Sequence, residues 1–383
     1  MRTVDGEVSL SDVARHRQSE NPSLSIIVSV RNAKDTLRRS LAAIRDSHLG
    51  RQSYELIVVD DASKDGSAAI AARYADTVVR LSGRAAGAAY ARNRGVEVAR
   101  GAIVAFVASD ALVQPDTLPQ MLAALQAHSD IDAISASLDE RSGASNFVSQ
   151  YWNPLRSFGE RRHPGDCAQL AHGCSAVRRE AFFAAGMYDE WRFVTECVES
   201  VELGERLKTG GHGVMLSAEL KVVDLKYWNV GTVAREVWTR ARALARSLGY
   251  VRMSTAAPSE VVFTLTRTLT PAIALLGTLM LAAAFVPTPQ TSAKIGVAIA
   301  VILLTNLPVY RYYASVRGFG FAIVCAPLHV LAQAIAGVAL CAGWILRDVF
   351  GDVSPDATTQ AYSEVGLETW PPIPRNSRSR HVT

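Results

Sequence analysis

The segment Glu55-Leu-Ile-Val-Val-Asp-Asp-Ala-Ser-Lys-Asp-Gly-Ser67 constrains the fold more than any other stretch. Glu55 to Val59 reads as a buried parallel strand, because an apolar run closed by turn residues suits a strand covered on both faces. Two carboxylates, Asp60 and Asp61, follow at its C-terminal end, then a Ser-Lys-Asp-Gly turn. Leu24-Ser-Ile-Ile-Val-Ser-Val-Arg-Asn32 reads as a second such strand. Ala102-Ile-Val-Ala-Phe-Val-Ala-Ser-Asp110 reads as a third, again ending in a carboxylate. Strands that deliver polar groups at one shared end predict a ligand edge of the kind open α/β sheets use.

Helical patterns separate these strands. Thr36 to Ser47 is amphipathic, with Leu37, Leu41 and Ile44 on one face, and Ser67 to Ala75 and Ala85 to Ala99 follow. This alternation predicts a parallel sheet with right-handed crossovers. A further helix opens at Pro115 and ends near His128, and a strand covers Ile131 to Ser137. A last helix of this part runs from Glu199 to the stop signal Gly210-Gly211. Residues 139–171 read as irregular. They carry Trp152, Arg156, Arg161, Arg162 and His163 and predict a long functional surface loop.

The C-terminal part differs in character. The chain of 383 residues is 49% hydrophobic, and its mean hydropathy is +0.12. The apolar residues concentrate in Leu269 to Val286, Ile295 to Val309 and Phe321 to Leu346, where charge is absent. A bilayer span takes about 20 apolar residues. The third run exceeds that, the first suffices and the second is short. Just before them, Thr232 to Met253 sets Arg235, Arg240, Arg242, Arg246 and Arg252 against Val233, Val237, Trp238, Leu244, Leu248 and Val251. A basic amphipathic helix next to apolar spans predicts an interfacial helix on an anionic leaflet. The expected organisation is a mobile tail over 1–22, an α/β domain over 23–230, the basic helix over 231–256, a membrane block of about three spans over 257–349, and a flexible tail over 350–383.

Three crossings would place Arg347 and the Arg375-Asn-Ser-Arg-Ser-Arg380 cluster outside, against the positive-inside bias. Either one run is re-entrant or the tail is exported. Residues 1–22 contain no apolar signal region, so the α/β domain is expected on the cytoplasmic face of the cell membrane. Cys167, Cys174, Cys197, Cys325 and Cys341 form no CxxC pair and read as free thiols of a reducing compartment. Gly83-Arg-Ala-Ala-Gly87 lacks the Gly-Lys-Ser/Thr ending of a P-loop. No zinc spacing or nucleophile elbow is present. The basic helix adjoins apolar runs with no nucleic-acid fold signature, which argues against a nucleic-acid partner.

The order of the marks resembles the inverting glycosyltransferases of family 2. It runs from the strand ending at Asn32, through Val59-Asp-Asp-Ala-Ser-Lys-Asp-Gly66, Gly87-Ala-Ala-Tyr-Ala-Arg-Asn-Arg-Gly95 and Ala105-Phe-Val-Ala-Ser-Asp110. It continues with Gly173, Arg178-Arg179, Gly186-Met-Tyr-Asp-Glu190 and Glu199-Ser-Val-Glu-Leu-Gly-Glu-Arg-Leu207. The resemblance covers about residues 23–230. It implies the GT-A fold: an α/β, Rossmann-like, mixed and mostly parallel sheet flanked by helices, here followed by C-terminal transmembrane helices. The membrane block resembles the members that elongate lipid-linked or exported polysaccharides. The implied partners are a nucleotide-sugar donor (a UDP-sugar expected), a lipid-linked or polysaccharide acceptor, membrane lipids and other proteins of polysaccharide synthesis.

The resemblance also assigns roles. Asp61 stands where the family accepts the N3–H of a uracil ring, and Ser29 where it has a small hydroxyl. Arg31 stands where the family often has an aromatic; a guanidinium plane also stacks on a base. Arg92 lies in the segment bracing the diphosphate, and Ser109 on the nucleotide-sugar side of the next motif. The family's D-x-D motif is here Ala108-Ser109-Asp110, leaving Asp110 to hold a divalent cation, Mg²⁺ or Mn²⁺. The family's catalytic Glu-Asp pair is here Glu199-Ser200, and serine is no base. Glu199, Glu202, Glu196 or Asp189 would take that role, or the domain is a non-catalytic scaffold of a polysaccharide-synthesis complex. His172 and Gly173 lie in a segment that borders the acceptor. Asn306, His329 and Gln333 are the polar groups of the apolar block; they contact a lipid acceptor or bond between helices.

Overall fold

The computed structural model describes residues 13–15, 22–83, 85–161, 165–166, 170, 173–190, 199–247 and 291–350. In chain order the elements are β1 (Val13–Arg15), β2 (Leu24–Val30), α1 (Lys34–Arg45), β3 (Tyr54–Asp61), α2 (Ser67–Tyr74), β4 (Thr77–Leu81), α3 (Ala88–Glu97), β5 (Ile103–Val107), β6 (Ala111–Val113) and α4 (Thr117–Ala127). Then come β7 (Ala133–Leu138), α5 (Phe147–Arg161), β8 (Gly165–Asp166), β9 (Cys174–Arg178), α6 (Arg179–Ala184), α7 (Glu199–Thr209), β10 (Val214–Asp224) and α8 (Val230–Ser247). Two long helices close the described chain, α9 (Thr291–Arg317) and α10 (Phe319–Phe350).

The strands form one sheet in the order β1-β4-β3-β2-β5-β9-β7-β10-β6, with β8 pairing β10 off this path. β4, β3, β2 and β5 are mutually parallel, as the β-α alternation predicts. β7 and β10 are parallel to each other, and β9 enters between β5 and β7 antiparallel to both. The sheet is therefore mixed, with its six principal parallel-running strands ending at one edge. Val13–Arg15, inside the stretch read as a tail, pairs with β4 and covers the lateral edge of the sheet beside it.

Both faces of the sheet are buried. Ile26, Val28, Leu56 and Val58 pack with Leu37, Leu41 and Ile44 of α1 and with Leu118, Met121 and Leu125 of α4. The alternate residues Ile27, Ile57, Val59 and Val104 pack with α3, Phe182 of α6 and Leu203 and Leu207 of α7. The period of two in β2 and β3 thus feeds two separate layers. The three buried apolar side chains of α1 each contribute about 1.5–3 kcal/mol relative to exposure. Gly95 lets α3 lie close on β2: a Cβ there would sit 2.6 Å from Ile27 Cγ2 and 3.1 Å from Val59 Cγ2.

A third apolar cluster joins the sheet domain to the C-terminal helices. It contains Tyr151 and Trp152 of α5, Trp228 in the turn before α8, Val233 and Val237 of α8, Tyr313 of α9, and Ala322, Cys325 and Ala332 of α10. Here the structure corrects the sequence reading once. Residues 147–161, read as loop, form α5; Val148, Tyr151, Trp152, Leu155 and Phe158 recur at helical spacing, and Pro154 sits within the helix. In α8, Val233 and Val237 pack along α10, while Arg235 and Trp238 are exposed. Among the described residues, Phe319–Gly343 is the one helical stretch long and apolar enough to cross a membrane. The first apolar run, Leu269 to Val286, and the tail after 350 lie outside the described residues.

Candidate active site

The loops after β2 and β3 are knitted together at the edge where the parallel strands end. Asn32 Oδ1 accepts from Lys64 N at 2.8 Å, and Asn32 N donates to Ser63 Oγ at 3.0 Å. Asp65 Oδ2 accepts from Lys34 N at 3.0 Å. Asn32 (φ 49) and Ala62 (φ 54) hold left-handed backbone, which costs an L-residue about 1–2 kcal/mol. Non-glycine residues in this region cluster at functional sites.

Asp61 ends β3 fully inside the protein. Its Oδ1 accepts from Ala86 N at 2.8 Å and its Oδ2 from Gly87 N at 3.0 Å. These amides precede α3, so the carboxylate anchors the positive end of that helix. Burial pushes the Asp61 carboxyl above the usual range; the two amides and Arg31 oppose that shift, and Asp60 adds to it. Ser29 lies beside Val59 in the β2–β3 register and Arg31 follows β2, exposed. The structure thus brings Ser29, Arg31 and Asp61 to one place.

Asp110 follows β5 on the same edge, half-buried, with Ser109 beside it. Its main-chain oxygen accepts from Leu225 N at 2.7 Å. That bond places it against the end of β10, where Asp224 pairs in register with Ala111. Burial first, and then the Asp224 carboxylate, push the Asp110 carboxyl up; Lys226 and Arg156 pull the other way. Arg156 Nη1 of α5 donates to Asp224 Oδ2 at 2.5 Å, Trp228 Nε1 donates to the same oxygen at 3.2 Å, and Lys226 N donates to Asp224 Oδ1 at 2.8 Å. Lys226 Nζ lies 4.1 Å from the Trp228 ring centre. Asp224, Lys226 and Trp228 were not identified from the sequence. The signal that could have found them is the alternation of Val214, Leu216, Ala218, Leu220 and Val222, a strand pattern ending in a carboxylate like its neighbours.

The glutamates separate. Glu199, at the start of α7, is buried and pairs with the buried Arg92 of α3, Oε1 to Nη1 at 2.8 Å, with the Arg92 guanidinium 5.3 Å from the Tyr188 ring centre. Arg92 is therefore directed at Glu199 inside the domain. Glu202 is held by Arg206 one turn on, at 2.5 and 2.7 Å. Arg206 also donates to the main-chain oxygens of Ala185 and Met187. Asn93 bridges Tyr188 O (2.9 Å) and Glu190 Oε2 (2.8 Å), fixing the 186–190 turn on α3. Gly173 O accepts from Ala108 N at 3.0 Å, so the acceptor-side segment begins at the end of β5, and a Cβ on Gly173 would meet Val222 Cγ2 at 3.0 Å. His172 and Glu196 lie outside the described residues.

The sheet is mixed, with carboxylates at or just past the ends of β3, β5 and β10 on one edge. Residues 25–183 match the profile of Glycosyl transferase family 2. Over these residues the chain is therefore similar to family 2 glycosyltransferases, and its fold is of the GT-A type. It is 36% identical over 108 residues to the Putative glycosyltransferase EpsH of Bacillus subtilis, covering 27% of this chain and 30% of that protein. It is 36% identical over 105 residues to the Succinoglycan biosynthesis protein ExoO of Rhizobium meliloti, covering 26% and 29%. The chain thus spans about a third of the length of these curated relatives. Among solved structures it shares the fold of the mannosyltransferase PcManGT from Pyrobaculum calidifontis, determined with GDP-Man and Mn²⁺. The TM-score is 0.60 at 19% identity, over 84% of this chain and 88% of that one.

Proposed function

We propose that this protein transfers a sugar from a nucleoside-diphosphate sugar to a membrane-held or polysaccharide acceptor. The observation that carries the reading is the meeting of Asp110 and Asp224 with Arg156 and Lys226 at the sheet edge that also holds Asp61. A nucleoside diphosphate brings a base that needs an acceptor and a diphosphate that needs positive charge. Asp61, Ser29 and Arg31 suit the first, and Arg156 and Lys226 the second.

The residues present fit a hard divalent cation. Asp110 offers oxygen donors whose ionisation is opposed by burial and by Asp224, and a cation would relieve both. Among the described residues no third carboxylate, histidine or cysteine joins them, so phosphate oxygens would complete the shell. When bound, the cation would neutralise charge on the leaving diphosphate. The protein's own part is to hold the base at Asp61, orient the diphosphate with Arg156 and Lys226, and take the acceptor proton on a carboxylate. Glu199, paired with Arg92, is the candidate base, with Glu202, held by Arg206 on the same helix face, as the alternative. Polysaccharide synthesis as the setting is supported by the name of the ExoO relative.

Membrane attachment is supported by an inverted pattern in α9 and α10. Leu304, Ile323, Val324 and Leu331 face outward, while Asn306 and His329 are buried in the seam. Helix pairs in lipid hold polar residues inside and apolar residues outside.

Calorimetric titration of UDP and GDP into the full chain, with and without Mn²⁺, tests this reading. Mn²⁺-dependent binding of one nucleotide, lost in Asp110→Asn, together with donor turnover lost in Glu199→Gln, is the expected result. Binding without turnover in the unsubstituted chain would favour the scaffold reading, to which Ala108 and Ser200 point. No binding of either nucleotide would overturn the donor site.

A further inference from the structure

Helix α5 has two working sides. On one, Arg156 reaches Asp224 at 2.5 Å, Ser149 Oγ accepts from Trp228 N at 2.8 Å, and Ser157 Oγ donates to Leu138 O at 2.7 Å. On the other, Tyr151 Oη lies 3.1 Å from His329 Nδ1 of α10, Tyr313 Oη of α9 donates to Tyr151 O at 2.6 Å, and the Phe158 and Tyr312 rings stack at 4.7 Å. Tyr151 and Arg156 are five residues apart, roughly 140° around a helix of 3.6 residues per turn. The same rigid element therefore touches the candidate donor site and the apolar hairpin.

The hairpin contact continues as a buried polar chain. His329 Nε2 lies 3.0 Å from Asn306 Oδ1, Asn306 Nδ2 donates to Gln333 Oε1 at 3.0 Å, and Gln333 Nε2 donates back to Asn306 Oδ1 at 2.6 Å. One assignment satisfies the chain: Tyr151 O–H donates to His329 Nδ1, and His329 Nε2–H donates to Asn306. Apolar helices need no such network in order to pack. Polar groups in an apolar seam are tolerated only when mutually satisfied, and then they fix one geometry.

We propose that Tyr151, His329 and Asn306 are positioning residues: they lock α5 to the α9–α10 hairpin and so hold Arg156 and the β10–α8 turn against Asp110. The proposal rests on the reading of Asp110 and Arg156 as a donor site. Seating of the hairpin and geometry of that site would then be one event.

Tyr151→Phe keeps the ring and removes the hydroxyl, and His329→Leu removes the other partner. Hydrogen exchange is followed in the full detergent-purified chain over residues 222–230, where Leu225 N bonds Asp110 O and Trp228 N bonds Ser149 Oγ. Losing one buried hydrogen bond predicts about 3- to 10-fold faster exchange there, with residues 24–30 and 54–61 unchanged. Affinity for the nucleotide bound with Mn²⁺ should fall by a similar factor, and Tyr151→Phe combined with Arg156→Lys should bind no worse than the weaker single variant. Unchanged exchange over 222–230, or equal acceleration in all three segments, overturns the lock. If the unsubstituted chain binds neither UDP nor GDP, the donor reading fails while the exchange measurement still decides the lock.

Discussion

Arg156 Nη1 lies 2.5 Å from Asp224 Oδ2, and this contact joins α5 to the carboxylate that faces Asp110. Both partners are largely buried, at 14% and 7% side-chain exposure. Arg156→Ala leaves Asp224 with only its two N–H donors from Trp228 and Lys226. Breaking a buried pair costs about 3–5 kcal/mol, and the remaining donors place this case at the low end. Denaturant unfolding should show that loss, and nucleotide binding should weaken with it. Arg156→Lys should recover part of both, because a lysine keeps the charge without the planar fork.

The shifted carboxyl of Asp61 gives a pH signature. Base recognition needs the ionised form, and burial raises its pKa above the ordinary 3.8. A group raised in this way holds its proton to higher pH, so nucleotide affinity should fall as pH drops through that raised value. The fall should begin at a higher pH than an unperturbed aspartate would give. Titrations of the nucleotide between about pH 7.5 and pH 4.5 check this. Asp61→Asn should bind weakly and without that pH dependence. By the same sign, ionised Asp61 costs the unliganded fold stability as pH rises through the raised value, a cost that vanishes below 3.8.

How much of this was legible from the sequence depended on distance along the chain. β2, β3 and β5 were readable because each is a buried run closed by a polar turn, and their ends carry Arg31, Asp61 and Asp110. β10 was passed over because it alternates Val214, Leu216, Ala218, Leu220 and Val222 with Ser217, Glu219 and Lys221, a half-buried strand unlike the continuous apolar runs of the others, and its pairing with β6 is settled only by the fold. Asp224 was missed with it. α5 was hidden by Asn153-Pro154 in mid-helix, although Tyr151, Trp152 and Leu155 already made a helical stripe. Glu199 and Glu202 share a helix face in sequence, and only the i+4 arginine at Arg206 hints that one of them is engaged. The seam residues Asn306, His329 and Gln333 were visible as polar groups in an apolar run. Their bonding to one another and to Tyr151 is a property of the packed helices.

Gly95 sets how closely α3 approaches the sheet, and α3 carries Arg92 and, at its start, the amides that bond Asp61. A Cβ at Gly95 meets Ile27 Cγ2 at 2.6 Å, closer than van der Waals contact allows. Gly95→Ala must therefore push α3 outward or shift Ile27. Overpacking of this kind costs about 1–3 kcal/mol, against a helix-propensity gain of about 1 kcal/mol. The net expectation is a lowered unfolding midpoint with weaker nucleotide binding. Ile27→Ala in the same chain removes the clashing Cγ2 and should restore part of the nucleotide binding, at its own cavity cost to stability.

The outward face of the hairpin makes the last prediction. Leu304 and Val324 are 69% and 61% exposed, far from any packing role inside the protein. If that face sits in hydrocarbon, a lysine there opposes insertion by up to about 2.5–3.5 kcal/mol at the centre of the bilayer. Leu304→Lys with Val324→Lys should shift the protein from the membrane pellet to the soluble or aggregated fraction. Ser315→Lys, at an exposed polar position near the domain end of α9, should not. Circular dichroism in detergent should find all three chains folded, because none of these side chains packs in a core. Retention of the double variant in the membrane fraction, at the level of Ser315→Lys, would show that this face does not contact lipid.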